Sequence, residues 1–216
     1  MFNQSACDQP MFDAAFRDRL AALFRWRRDV RTFRRDPLPA GMIESLIDAA
    51  CLAPSVGLSQ PWRFVRVDDA ARRAAVRAVF AASNAEAAAG YDDAAAAEYR
   101  RLKLAGLDEA PVQLAAFVQP APEQGRGLGR QTMPEMTAYS VVAAVQNLWL
   151  AAAAAGIGVG WVSILDPPAV TAALDVPTDW RLIAYLCIGY PAGLSDTPLL
   201  EQAGWEQRQP PVVIQR

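Results

Sequence analysis

Six arginines and one aspartate fall within eleven residues, Arg25-Trp26-Arg27-Arg28-Asp29-Val30-Arg31-Thr32-Phe33-Arg34-Arg35. Like charges on neighbouring turns repel, so such a run calls for an anionic guest or for open solvent. A guanidinium keeps its proton and grips phosphate bidentately, which points to a phosphorylated small molecule; the alternative is a solvated basic face. What is missing narrows the chemistry further, because the 216 residues include no histidine. Ser-His-Asp and Cys-His nucleophiles and His-based zinc sites are excluded. Carboxylates, hydroxyls, water or the ligand must move protons. Harder chemistry would come from a borrowed cofactor.

Lys+Arg number 21 against 23 Asp+Glu, a net charge of −2, so the cluster is local in a mildly acidic chain. That speaks against a nucleic-acid partner, which wants a basic stripe. The length and the 53% hydrophobic residues suit one domain over 1–216 with a lid. Cys7, Cys51 and Cys187 are widely spaced, odd in number and without a metal-ligand pattern, which fits a reduced cytoplasmic setting and no metal. The start Met1-Phe2-Asn3-Gln4-Ser5 lacks the basic and apolar regions of a signal peptide.

The elements that must position these residues follow from periodicity. Phe12, Phe16, Leu20, Leu23 and Phe24 predict an amphipathic helix over 10–26, its stripe being core or partner interface. Ile43, Leu46, Ile47, Ala50 and Cys51 predict a second helix ending at Pro54. The loop 53–62, Ala-Pro-Ser-Val-Gly-Leu-Ser-Gln-Pro-Trp, leads into a strand over 62–67 and can bring backbone groups to a flat ligand, or be an ordinary connection. Residues 69–105 read as an alanine-rich helical pair broken at Gly90 and Gly106, an exposed surface or a lid. A strand over 112–118 and a Pro-, Gly- and Gln-rich loop over 120–134 come next.

Residues 135–155 form the most apolar helix. It is long enough to suggest a membrane span, but Gln146 and Asn147 sit mid-segment and no basic flank follows, so no membrane partner is expected. Its small residues favour close approach of a second copy, hence a homodimer. Gly156-Ile-Gly-Val-Gly160 lies after a helix and lacks Gly-Lys-Ser/Thr, a poor phosphate loop. It reads better as the lead-in to a buried strand over 161–165 whose backbone passes close to a ligand. Pro167 starts a short helix, 181–188 is the last strand, and the proline-rich tail over 194–216 wraps the partner.

Taken together, the arginine cluster, Ala-Pro-Ser with Gln-Pro-Trp, Gly-Ile-Gly-Val-Gly-Trp and Ile-Gly-Tyr-Pro resemble the FMN-dependent nitroreductase superfamily over about 20–208. Within it, Arg-Arg-Asp-Val-Arg at 27–31, the segment 53–64 and Gly-Trp-Val-Ser-Ile-Leu at 160–165 are similar to the BluB family of 5,6-dimethylbenzimidazole synthases. Ordinary nitroreductases commonly carry serine in place of Asp29 and asparagine in place of Leu58.

The resemblance implies an α+β nitroreductase-like fold, a central mixed, largely antiparallel sheet flanked by helices, in an intertwined homodimer with exchanged C-terminal tails. It implies reduced FMN, as substrate as much as cofactor, and molecular oxygen, with a separate flavin reductase supplying the FMNH2. By the same analogy Arg27, Arg28, Arg31 and Arg208 hold the phosphate, while Val30, Pro54, Ser55, Gly160 and Trp161 contact the flavin. Asp29 and Ser163 carry the chemistry, the one moving protons and the other orienting the reacting oxygen. Tyr99, Lys103 and Leu104 belong to a lid at 90–106. The implied activity is fragmentation of reduced FMN to 5,6-dimethylbenzimidazole, the lower ligand of vitamin B12, with release of erythrose 4-phosphate. The alternatives are an NAD(P)H-dependent nitroreductase or quinone reductase, and a carrier of reduced flavin without chemistry.

Overall fold

Residues 11–102 and 104–216 are described by a computed structural model; Cys7 and Lys103 lie outside them. Four helices begin at aspartates. Asp13, Asp69, Asp92 and Asp166 accept the backbone N–H of Phe16, Arg72, Ala95 and Ala169, and so start α1 (Ala14–Trp26), α3 (Ala70–Ala89), α4 (Asp93–Tyr99) and α6 (Pro167–Leu174). Each side chain satisfies a donor that the first turn leaves orphaned. Helix α2 spans Met42–Cys51, α5 spans Met136–Ala154, and a short α7 spans Leu199–Gln202 in the tail.

Strands β1 (Trp62–Arg66), β2 (Val112–Val118), β3 (Gly158–Val162) and β4 (Arg181–Gly189) form one sheet in the order β1-β2-β4-β3, every neighbouring pair antiparallel. The expected mixed character comes down to an isolated parallel bridge between Asp29 and Val159. Helices cover both faces. Leu114, Ala116, Leu186 and Ile188 pack with α2 and α5, whereas Ala115, Phe117, Tyr185 and Cys187 pack with Val76 of α3 and Val170 of α6. Every residue of β2 is therefore buried, and each fully buried Leu or Phe contributes about 1.5–3 kcal/mol.

Three points of comparison with the sequence reading matter. Strand β3 begins at Gly158, ahead of the expected 161–165, because the glycines themselves pair with β4. Helix α1 buries no residue, and Phe12, Phe24 and Trp26 are each about half exposed, so its stripe is not core within one chain. Helix α5 is long and apolar enough to span a membrane by composition alone, yet Val141, Val145, Leu148 and Ala152 are buried in the core.

Candidate functional site

The arginine segment is laid down as a strip between two supports. On one side the Val30 N–H donates to the Val159 carbonyl at 3.0 Å; on the other, the Arg34 N–H donates to the Tyr190 carbonyl at 2.8 Å and Ala192 donates to Thr32 at 3.0 Å. Strand β3 admits the strip because it carries glycine where it is crossed. A Cβ on Gly160 would drive into the Val30 carbonyl oxygen, and one on Gly158 would come 2.8 Å from Val30 Cγ2. Within the chain, the close approach at these glycines is made by Val30.

This docking aims Asp29. Its Oδ1 accepts the backbone N–H of Trp161 at 2.8 Å, and its Oδ2 pairs with Arg31 Nε at 2.8 Å. Both side chains are largely shielded, at 29% and 16% exposure, so the pair has a fixed geometry. Trp149 of α5 completes the frame: its Nε1–H donates to the Arg28 carbonyl at 3.2 Å, and the Arg27 guanidinium lies 4.8 Å from its ring centroid.

Arg28 keeps an unused donor. Its Nη1 donates to the Arg27 carbonyl and its Nη2 to the Asp196 carbonyl, whereas its buried Nε has no hydrogen-bond partner among the described residues. Burial, then the charges of Arg208 and Arg27, push this guanidinium below its ordinary value, with Asp196 and Glu201 opposing. Desolvation and like charge together mark a place that an anion would stabilise. Beside it lies a cavity of about 340 Å³ lined by Arg28, Asp29, Arg31, Thr32, Ser195 and Thr197. The chemistry of this set fits the phosphate and hydroxylated chain of a flavin mononucleotide.

The other expected residues are spread around this centre. Arg208 of the tail acts on Arg28 of its own chain. Pro54 and Ser55 do not line the cavity under Arg28. Ser55 Oγ instead accepts the Gln60 N–H at 3.1 Å within its own loop. Ser163 is exposed just beyond the end of β3. Tyr99 is buried: its hydroxyl donates to Asn84 Oδ1 at 2.8 Å, and its ring meets Tyr91 and Trp205. Leu104 is half-buried. Tyr99 thus anchors the expected lid to α3 and to the tail.

Sequence reasoning missed Ser195, Thr197 and Gln202 as lining residues, and Trp149 as the prop under Arg28. The tail carries no motif that marks them. The described thiols offer no nucleophile, since burial pushes Cys187 up to about 12 and also raises Cys51.

Residues 24–190 match the nitroreductase family. A 5,6-dimethylbenzimidazole synthase of Rhodospirillum rubrum is 56% identical over 207 residues, 96% of this chain and 98% of the relative. One of Rhodobacter capsulatus is 48% identical over 92% of this chain and 96% of the relative. Among solved structures, oxidised iodotyrosine deiodinase bound to FMN and 3-iodo-L-tyrosine superposes with a TM-score of 0.71 at 25% identity, covering 91% of this chain and 97% of that one.

Proposed function

The chain belongs to the nitroreductase family and within it to the 5,6-dimethylbenzimidazole synthases, and from that membership we propose that it fragments reduced FMN with oxygen to 5,6-dimethylbenzimidazole, releasing erythrose 4-phosphate. The observation that carries the reading is the carboxylate of Asp29, held by Trp161 and Arg31 inside an arginine-lined cavity. A conventional reductase needs the cations for binding but has no task for a fixed carboxylate there.

In this reading Arg27, Arg28, Arg31 and Arg208 hold the phosphate, and Arg28 Nε gains the partner it lacks. The backbone about Val30, Gly160 and Trp161 lies along the flavin, with Pro54 and Ser55 completing the site at the interface of a homodimer. Reduced FMN, the substrate, supplies the electrons that activate oxygen. Asp29 Oδ2 accepts and returns a proton on the ribityl side during C1′–C2′ cleavage, and the Ser163 hydroxyl donates a hydrogen bond to the reacting oxygen. The lid over 90–106, with Tyr99 and Leu104, keeps bulk water out; Lys103 of the same segment lies outside the described residues.

The whole chain, 1–216, acts as one domain in the cytoplasm. A flavin reductase delivers FMNH2, and the far end of the tail over 194–216 reaches the second subunit. Exposed Val212, Val213 and Ile214, with the open stripe of α1, support the dimer. Anaerobic loading with FMNH2, followed by air and mass spectrometry for 5,6-dimethylbenzimidazole, tests the reading. Steady NAD(P)H oxidation with FMN left intact would instead make the protein a reductase.

A further inference from the structure

Val30 and Phe33 are the buried side chains of the arginine strip, and the Phe33 ring is bounded by three glycines drawn from three parts of the chain. A Cβ on Gly106 would come 2.4 Å from Phe33 Cε2 and 3.3 Å from the Arg31 carbonyl oxygen. One on Gly189 would come 3.3 Å from Phe33 Cδ1, and one on Gly160 would come 3.7 Å from Phe33 Cζ. None of the three glycines is left-handed, so backbone conformation does not call for glycine at these positions. At Gly106, where the approach is closest, glycine makes room for the ring.

That seat is fixed from behind. The Gly106 carbonyl accepts the Ala110 N–H at 3.0 Å, and the carbonyl of the next residue, Leu107, accepts from Gln113 Nε2 at 2.8 Å. Gln113 is buried on β2, and its Oε1 in turn accepts the hydroxyl of Tyr185, buried on β4, at 2.6 Å. The sheet thus holds residues 106–107 against the ring. On the side of the strip, the Val30–Val159 and Arg34–Tyr190 bonds pin the backbone before and after Phe33. Between those pins lies Arg31, whose guanidinium pairs with Asp29. In a close-packed interior a ring so enclosed cannot shift without carrying its backbone along.

We propose that Phe33 is a positioning residue for Asp29 and Arg31, with Gly106 as the seat that fixes its depth. Its ring does not line the cavity beside Arg28; it acts through the strip, setting where the Asp29 carboxylate stands between Trp161 and that cavity. The inference rests on the fragmentation reading above and deepens it. In the unproductive course, reduced FMN passes two electrons and two protons to O2, leaving FMN and H2O2. Misplacing the carboxylate that moves protons in the productive course favours that exit, and a shift of about 1 Å can cost about a hundredfold in rate.

The test uses full-length protein loaded with FMNH2 without oxygen and then exposed to air. Dimethylbenzimidazole and H2O2 are counted per bound flavin, with FMN affinity and melting temperature recorded alongside. Gly106→Ala drives a methyl group into the ring and should yield about tenfold less dimethylbenzimidazole per bound flavin, with H2O2 in its place. Phe33→Leu leaves a gap instead of a clash and should lower the ratio too. Combined, the methyl group fills the gap, and the double variant should recover most of what Gly106→Ala loses. Val170→Ala, a buried change in α6, should lower the melting temperature and keep the wild-type product ratio. A wild-type ratio in Gly106→Ala would overturn the proposal, as would a double variant no better than Gly106→Ala alone. Should Gly106→Ala not fold, Phe33→Leu decides: a ratio below that of Val170→Ala supports the positioning role, and an equal one overturns it. If the wild-type protein gives only H2O2, the fragmentation reading itself fails and takes this inference with it.

Discussion

Asp29 Oδ1 and the backbone N–H of Trp161 are 2.8 Å apart, and this bond ties the arginine strip to β3 at the point where the carboxylate faces the cavity. Asp29→Asn keeps an oxygen that can accept from Trp161 but loses the ion pair with Arg31. Partly exposed pairs are worth about 1 kcal/mol or less, so the fold should survive. FMN affinity should stay within about threefold, because no phosphate contact is removed. Dimethylbenzimidazole should fall below detection in a single-turnover assay. Weakened FMN binding with an unchanged yield per bound flavin would show that Asp29 is only structural.

Ser163 offers a complementary case. It is exposed at the end of β3, so Ser163→Ala should leave the unfolding free energy within about 0.5 kcal/mol of the wild type. Product should still be lost. A variant that makes normal amounts would remove Ser163 from the chemistry.

Arg28→Ala should act on binding. A charge-assisted contact contributes about 1.5–3 kcal/mol, so FMN affinity measured by fluorescence titration should drop roughly tenfold to a hundredfold. Wild-type affinity should weaken with added salt, and the variant's should weaken less steeply. Equal salt dependence in the two proteins would place the phosphate elsewhere.

Gly160→Ala probes the crossing of strip and strand. The added methyl would meet the Val30 carbonyl oxygen, a backbone atom with no rotamer to escape through. Overpacking of this kind costs about 1–3 kcal/mol, and the shifted strip should carry Asp29 and Arg28 out of register. Lower thermal stability and weaker FMN binding should appear together.

Alkaline pH should destabilise the protein through Cys187. Its thiol is fully buried and pushed up to about 12, against an ordinary value near 9. Below about pH 9 folded and unfolded states both hold the proton, so the group adds no pH dependence. Between about pH 9 and 12 the unfolded thiol ionises while the buried one does not, and stability is lost by up to about 4 kcal/mol. Urea unfolding across this range should show a shallower decline for Cys187→Ala.

Much of this was legible in the chain because local physics wrote it there. Helix α2 announced itself through Ile43, Leu46 and Ala50, and β2 through a run that is apolar apart from Gln113. The arginines and Asp29 were visible as charge density. The partners of Asp29 were not, since the Trp161 N–H is a backbone group 132 residues away and leaves no mark in residue type. The start of β3 was misplaced because glycine is a poor strand former on propensity alone, and only the crossing by Val30 explains its presence. Tyr99 read as a lid residue from its surroundings, but its hydroxyl is spent on Asn84.

The most direct measurement is a single aerobic turnover. FMN is reduced, bound to the purified protein without oxygen and exposed to air, and the products are quantified by mass spectrometry. Dimethylbenzimidazole in amounts comparable with the protein, and absent from a protein-free control, is the result expected of an enzyme that consumes its flavin. Quantitative recovery of FMN together with H2O2 would contradict it.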